Sequence, residues 1–167
     1  MFSQILVPTD FSPPSDAALE YARILAAKFG ASLHLLHVVD DPTAESDFVA
    51  DGFAPTTEDI RDALLTQARA RLAHVMNVAD RVHFHGTADA VVGMPAPTIV
   101  DYAAATGSSL IVMGTHGRTG LAHLLMGSVA EHVVRTAPCP VLTVRQPTEA
   151  AAEATVAVSV CRVPVPA

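Results

Sequence analysis

The stretch LIVMGTHG (residues 110–117) runs from four apolar residues into two closely spaced glycines, and Gly127-Ser128 follows after nine more residues. This G-x2-G-x9-G-S array predicts a buried strand that breaks into a loop, with the second glycine group opening a helix. Glycines let backbone N–H groups come close to an anion, and a helix N-terminus also favours negative charge. Two backbone anion sites from one loop favour a polyphosphate, and hence a nucleotide, as the ligand.

Around this array, strand-like and helix-like patterns alternate along the chain. Short apolar runs predict strands at residues 5–7, 33–39, 81–86, 109–113 and 140–145. Between them, helices are predicted to begin at Ser12-Pro13, Thr56-Thr57, Pro97 and Ser128, and Gly30 and Gly107 are predicted to end two of them. Such an alternation predicts an α/β fold, a parallel sheet with helices on both faces.

Two of the predicted helices have a more detailed pattern. Ser128-x-x-Glu131 predicts a capping box at the start of the last helix, in which the serine hydroxyl would bind the helix backbone while the N–H groups there could still bind phosphate. Inward-facing positions are expected in the second and last helices at Ile60, Leu64, Ala68, Leu72, Val75, Met76, Val129, Val133 and Val134.

In parallel α/β sheets, ligands bind beyond the carboxyl ends of the strands, where the strand order reverses. Pro8-Thr9-Asp10 and the Gly114 to Gly117 loop both follow predicted strands, so they would form two walls of one crevice if those strands are neighbours. Asp10 could accept a hydrogen bond from a ribose or help hold a metal ion on the phosphates. Alternatively, it is a turn residue that caps the first helix.

Composition excludes several classes of protein. The chain has 167 residues, which fits one domain, and a net charge of −7 without a basic cluster, which argues against nucleic acid or an anionic membrane as partner. No apolar run approaches the ~18 residues of a membrane span, and the N-terminus lacks the basic region of a secretory signal. Cys139 and Cys161 have no metal-type spacing. The cytoplasm is therefore expected.

The lysine content narrows the choice among nucleotide-binding proteins. Lys28, inside a predicted helix, is the only lysine among ten basic residues. P-loop NTPases need a lysine in the glycine loop and protein kinases need one on a strand, so neither class fits. A bound nucleotide would be held by backbone, hydroxyl groups, histidine or arginine. His116 could donate to a phosphate or only line the loop, and Arg118 could contact phosphate or lie on the surface.

The His83 and His85 pair would share one face of the predicted third strand. An H-x-H pair can bind a metal, but no third ligand is evident, so histidines of the core or rim are favoured.

Residues 2–145 resemble the universal stress protein family. The matching segments are 8–12, 36–38, 93–95 and 112–117, the glycine array itself, and 128–144. The array has the form found in the ATP-binding branch of that family. The resemblance implies a five-stranded sheet of order 3-2-1-4-5, an ATP crevice, Mg²⁺ with the nucleotide, and homodimers joined near the last strand. The ligand contacts that it implies are at Pro8, Thr9, Asp10, Val38, Met113, Gly114, His116, Gly117, Arg118, Gly127, Ser128 and Val129.

These features predict a homodimeric, ATP-binding regulatory protein of the stress response whose bound nucleotide matters more than turnover. A slow ATP hydrolase or phosphotransferase is the alternative, although no catalytic constellation assembles around Asp10 and His116. A receiver module phosphorylated on Asp10 would need a lysine opposite, and Lys28 is badly placed. The family domain is expected to span residues 1–146, with residues 147–167 as either a frayed tail or an extra edge strand.

Overall fold

The computed structural model describes residues 2–41, 56–115 and 126–145. Strands and helices alternate along the described chain, with one additional short helix before the third strand. The elements are β1 (Gln4–Pro8), α1 (Pro13–Phe29), β2 (Ser32–Val39), α2 (Thr57–Val75), α3 (Val78–His83), β3 (Thr87–Val92), α4 (Pro95–Thr106), β4 (Leu110–Gly114), α5 (Ser128–Thr136) and β5 (Val141–Val144).

The strands form one parallel sheet of order β3-β2-β1-β4-β5, which confirms the predicted fold class. The chain builds the sheet outward from β1 through β2 to β3, and then crosses back to place β4 on the other side of β1. The strand order therefore reverses between β1 and β4, and this reversal opens a crevice at the carboxyl ends of the two strands.

The central strands β1, β2 and β4 are largely buried on both faces of the sheet, as their mainly apolar character requires. Alternate residues of β1 point to opposite sides, so Ile5 and Val7 join one apolar cluster while Leu6 joins the other. The first cluster packs against α1 and α2, and the second packs against α4 and α5. The two helical layers thereby fix the positions of the loops that leave the carboxyl ends of the strands.

The predicted helix ends agree closely with the structure in the first and third predicted helices. Ser12 is the N-cap of α1 with Pro13 at the first helical position, and Gly30 and Gly107 follow α1 and α4 with φ of 64°. That left-handed conformation is one that glycine adopts without steric cost. Helix α4 begins at Pro95, slightly before the expected Pro97.

The prediction for the third strand was wrong. Residues 78–83 form the helix α3, and β3 begins only at Thr87. Asn77 caps this helix by accepting the Asp80 N–H, a local pattern that overrides the strand-like alternation around Phe84. His83 and His85 are exposed, at the end of a helix and in the turn after it, so they share no strand face.

The inward faces predicted for the helices were partly wrong. Ala68, Leu72, Met76 and Val133 are buried, but Ile60 and Val134 are exposed to 38% and 43%. The loop at residues 42–55 and the tail at 146–167 lie outside the described residues. Among the residues that are described, no helix combines the length and apolar character needed to cross a membrane.

Candidate nucleotide-binding cleft

A cleft of about 720 Å³ opens where the strand order reverses. Its volume is in the range of small-molecule and cofactor sites. The β1–α1 loop, the end of β2, the end of β4, and the first turns of α4 and α5 line it, and helix α2 forms a further wall.

The cleft brings together most of the residues predicted to contact a ligand. Those that line it are Pro8, Thr9, Asp10, Val38, Met113, Gly114, Gly127, Ser128 and Val129. The other three predicted residues, His116, Gly117 and Arg118, lie outside the described residues.

The β1–α1 loop is fixed by side chains of its own residues. The Asp10 carboxylate accepts hydrogen bonds from both the N–H and the hydroxyl of Ser12, so Asp10 is a turn residue, but the N-cap of α1 is Ser12. The buried Thr9 hydroxyl accepts the Phe11 N–H at 3.0 Å and shares a hydrogen bond with the Ser15 hydroxyl. These contacts hold the half-buried Asp10 in the lining of the cleft.

Three cleft residues, Phe11, His37 and Arg71, were not singled out from the sequence. Phe11 has a positive φ of 62°, and its ring lies 4.4 Å from that of His37 between centroids. The Arg71 guanidinium carbon lies 4.0 Å from the centre of the Phe11 ring. Arg71 could have been found from the sequence by its helical spacing from Gln67 and Ala68, which places all three residues on the face of α2 that lines the cleft.

Val38 presents its main chain to the cleft. The Leu36 carbonyl accepts the Thr9 N–H on the β1 side of β2, and the Val39 carbonyl accepts the Gly93 N–H on the β3 side. Successive residues of a strand direct their hydrogen-bonding groups to alternate sides, so those of Val38 point to the β1 side. Since β1 ends at Pro8, which pairs with Leu36, they reach the cleft beyond the last residue of that strand.

Helix α5 directs its N-terminus at the cleft, but its cap differs from the prediction. Gly127, not Ser128, is the N-cap, and its N–H donates to the Thr115 carbonyl at 2.7 Å. Ser128 is the first helical residue and is exposed, while Glu131 pairs with Arg135, so the predicted capping box is not formed. The first-turn N–H groups of α5 have no partner within the helix, and they make this end attractive to an anion.

The glycines of the array do not need positive φ where they are described. Gly127 has φ of −74°, and the only described glycines with positive φ are Gly30 and Gly107. At Gly114 the constraint is close packing, because a Cβ there would lie 3.0 Å from the backbone of Pro14. Gly114 therefore lets the end of β4 approach the start of α1.

The described residues do not form a metal site by themselves. No group of three or more His, Cys, Asp or Glu side chains that could hold a metal occurs among residues 2–41, 56–115 and 126–145. Asp10 and Asp40 both line the cleft, and a carboxylate is the kind of ligand that supports Mg²⁺ when phosphate oxygens and water supply the other positions.

Comparison with known proteins assigns the family. Residues 1–145 match the model of the universal stress protein family. The chain belongs to this family. Among curated relatives, universal stress protein MJ0531 of Methanocaldococcus jannaschii is 36% identical over 147 residues, covering 88% of this chain and 84% of the relative. Universal stress protein YxiE of Bacillus subtilis is 31% identical, covering 87% of this chain and 100% of the relative.

Solved structures of the family share the fold. Hypothetical protein MJ0577, whose structure was used to assign its biochemical function, superposes with a TM-score of 0.76 at 30% identity, covering 89% of this chain and 99% of that one. UspA from Lactobacillus plantarum superposes with a TM-score of 0.69 at 32% identity, covering 86% and 98%. A universal stress protein solved in complex with cAMP gives a TM-score of 0.55 at 26% identity, covering 86% and 97%.

Proposed function

We propose that this universal stress protein binds an adenine nucleotide, ATP with Mg²⁺ in preference, and acts as a homodimeric regulatory protein in the stress response. The observation that carries the proposal is the convergence of the β4 glycine end and the α5 N-terminus on one cleft at the reversal of strand order. The relative solved with cAMP supports the class of ligand, since cAMP carries an adenine base, a ribose and a phosphate.

In this proposal the main chain recognises the base. The N–H and C=O of Val38 lie on the β1 side of β2, where they would pair with the donor and acceptor edge of adenine. Apolar side chains of Ile99 and Met113, both nearly buried, line the cleft and would contact the face of the ring. Asp10, at the mouth, would accept a hydrogen bond from the ribose or assist Mg²⁺.

The phosphates would be bound by backbone N–H groups. The first turn of α5, from Ser128, and Thr115, directly after Gly114, both line the cleft. With no lysine available at the site, the backbone replaces the side-chain cation that P-loop proteins use. The predicted contacts of His116, Gly117 and Arg118 would belong to the same part of the cleft.

Nucleotide binding is tested by calorimetry on protein shown by mass spectrometry to be free of nucleotide. We expect ATP with Mg²⁺ to bind and to stabilise the fold by about 2.7 kcal/mol when its concentration is a hundred times the dissociation constant. A melting temperature that stays unchanged in millimolar ATP would contradict the proposal.

The regulatory role also implies slow turnover, because Lys28, the only lysine of the sequence, does not line the described cleft and cannot stabilise the charge on a transferred phosphate there. Phosphate release should therefore be far below the ~10 s⁻¹ median of ordinary enzymes. Turnover near that median would instead favour the ATP hydrolase or phosphotransferase.

The proposed homodimer would use the edge strand β5. It pairs with β4 on one side, and Val141, Leu142 and Thr143 are only partly buried. An open apolar edge favours pairing with a second chain, and two-fold dimers are the commonest closed assembly.

Light scattering at high micromolar concentration tests whether the protein is a dimer, and a monomer would contradict the proposal. Deleting residues 147–167 then shows whether the tail contributes, since a bridging tail predicts easier dissociation of the shortened chain.

A further inference from the structure

Phe11 adopts a backbone conformation that is costly for its side chain. Its φ of 62° lies in the left-handed region, where a bulky L-residue is a conformational outlier. Such strain persists only where surrounding contacts hold the residue in place, and it clusters at functional sites. Phe11 directly follows Asp10 in the loop that lines the cleft, so the strained residue belongs to the proposed nucleotide site.

Two side chains from other elements hold the Phe11 ring. Arg71 of α2 contributes its guanidinium, 4.0 Å from the ring centre, which is within the range of a cation–π interaction. His37 of β2 packs against the ring with an interplanar angle of 45°. We define these three residues, Phe11, His37 and Arg71, as the ring stack.

His37 binds the same loop a second time. Its Nδ1 lies 2.7 Å from the Thr9 carbonyl oxygen. Because a carbonyl oxygen only accepts, Nδ1 must carry the proton. His37 therefore contacts the residues on either side of Asp10: it hydrogen-bonds to Thr9 and packs on the ring of Phe11. The Phe11 N–H in turn donates to the Thr9 hydroxyl at 3.0 Å, which closes the turn.

We propose that the ring stack fixes the strained turn that presents Thr9 and Asp10 to the nucleotide, and that Arg71 is a positioning residue of the binding site. The inference rests on the proposed function, because it specifies how the same cleft is shaped. Arg71 acts on the ligand through Phe11, and α2 thereby becomes part of the nucleoside-binding wall. Direct binding of phosphate by Arg71 is the competing explanation, and the two differ in which part of the ligand is affected.

The first test uses protein without nucleotide. In Arg71→Met, which keeps the length of the side chain and removes its charge, we expect the backbone amide resonances of residues 9–12 to shift. Arg71→Lys, which retains a cation, should restore them in part. The matched control is Arg69→Met, since Arg69 is an exposed arginine of the same helix that does not line the described cleft. Loop resonances in Arg71→Met that coincide with those of the wild type would overturn the proposal.

The second test compares the dissociation constants of adenosine and ATP by calorimetry. Arg71→Met should weaken both by the same factor, about two- to fivefold, as expected for an exposed cation–π contact. A loss that is confined to ATP and absent with adenosine would mean that Arg71 binds phosphate directly, and would overturn the positioning role. Wild-type protein that binds neither ligand would refute the proposed function instead, and the nucleotide-free resonances would still decide whether the stack holds the turn.

Phe11→Gly removes the ring altogether. The ring packs against the first apolar cluster, so we expect a lower melting temperature without ligand, although relief of the strain at positive φ offsets part of the loss. Under conditions where the variant is shown to be folded, adenosine and ATP should both bind about tenfold more weakly. A variant that retains wild-type affinity would show that the ring does not position the turn.

Discussion

The corner formed by α1, α2 and α3 and the candidate nucleotide cleft both contain charged side chains, but these charges face different surroundings. At the corner, the Arg23 guanidinium binds both carboxylate oxygens of Asp80, at 2.9 and 2.6 Å, and also donates to the Val75 carbonyl. Asp80 is 2% exposed and also accepts the Asn77 N–H at the start of α3. The polar groups of this corner thus bind one another.

In the cleft, by contrast, polar groups border open space. Asp10 is half-buried at the mouth, the first turn of α5 points inward, and Phe11 remains strained in the loop. Throughout the described chain every buried side-chain nitrogen and oxygen has a hydrogen-bond partner. The polar groups of the corner bind one another and hold the helices in place, whereas the first-turn N–H groups of α5 face a cavity that a ligand could enter.

Breaking the corner should have the largest effect on the molecule. Asp80→Asn removes the charge from a bidentate ion pair in which Asp80 is buried, and leaves Arg23 with the exposed Glu20 as its remaining counter-charge. We expect the free energy of unfolding to fall by about 3 kcal/mol or more, the usual cost of breaking a buried pair. Urea denaturation measures this, with Asp101→Asn on the exposed surface of α4 as the control. The folded fraction should bind ATP as the wild type does, and a large loss of affinity would show that corner and cleft are coupled.

The converse change is Gly127→Val, which should remove binding and spare the fold. The φ of −74° and ψ of 155° at Gly127 are accessible to valine, so the backbone is not strained by the change. The branched side chain would instead block the approach of phosphate to the α5 N-terminus. We expect ATP affinity to fall by about a hundredfold, or about 2.7 kcal/mol, with a nearly unchanged melting temperature in the absence of ligand. Equal affinity would mean that this end of the loop is structural only.

A third polar group, His34, also has hydrogen-bond partners within the protein, but its charge can change with pH. The buried ring shares hydrogen bonds with the Thr87 hydroxyl through Nδ1 and with the Tyr102 hydroxyl, at 2.9 Å, through Nε2. Tyr102 donates to the Asp89 carboxylate, so its oxygen can accept from His34, and the network ties β2 to the edge strand β3 and to α4. Burial lowers the pKa of His34 below its ordinary value, and the Asp89 charge only partly opposes this.

The contribution of His34 to the pH dependence of stability should therefore be smaller than the effects of Asp80→Asn and Gly127→Val. With a lowered pKa in the folded state, His34 binds fewer protons there than in the unfolded chain, whose histidine pKa is about 6.5. The free energy of unfolding should thus be highest above about pH 6.5 and fall on acidification below it. His34→Gln should flatten the curve in this range, whereas exposed His132→Gln should not. Parallel curves for wild type and His34→Gln would exclude His34 as the titrating group.

The parts of the fold that the sequence predicted well are those where apolar runs and end signals agree. β1, β2 and β4 are mostly buried, and Ser12-Pro13, Gly30 and Gly107 mark helix ends. β3 was placed wrongly because it is an edge strand with alanine and aspartate in it, Thr87-Ala88-Asp89-Ala90, which have low strand propensity. The Asn77 and Asp80 cap was the stronger local signal.

The candidate site was predictable where it depends on backbone and motif, and less so where it depends on tertiary contacts. Asp10, Gly114 and Gly127 could be placed at the ends of elements from the chain alone. The contact between Arg71 and Phe11 joins residues far apart in sequence, and no local pattern reports it. Likewise, the capping box expected at Ser128 was wrong because the Gly127 hydrogen bond to Thr115 sets where α5 begins.

The short first strand affects how freely this site can vary in evolution. β1 stops at Pro8, level with Leu36, while β2 continues to Val39, so the sheet has a step whose exposed rim is main chain. Recognition at such a rim depends on the path of the backbone and tolerates exchange of the side chain at Val38, which packs against the α4 and α5 layer. Position 38 is therefore free to vary among apolar residues together with the core behind it, while the main-chain edge that we propose to bind the base stays the same.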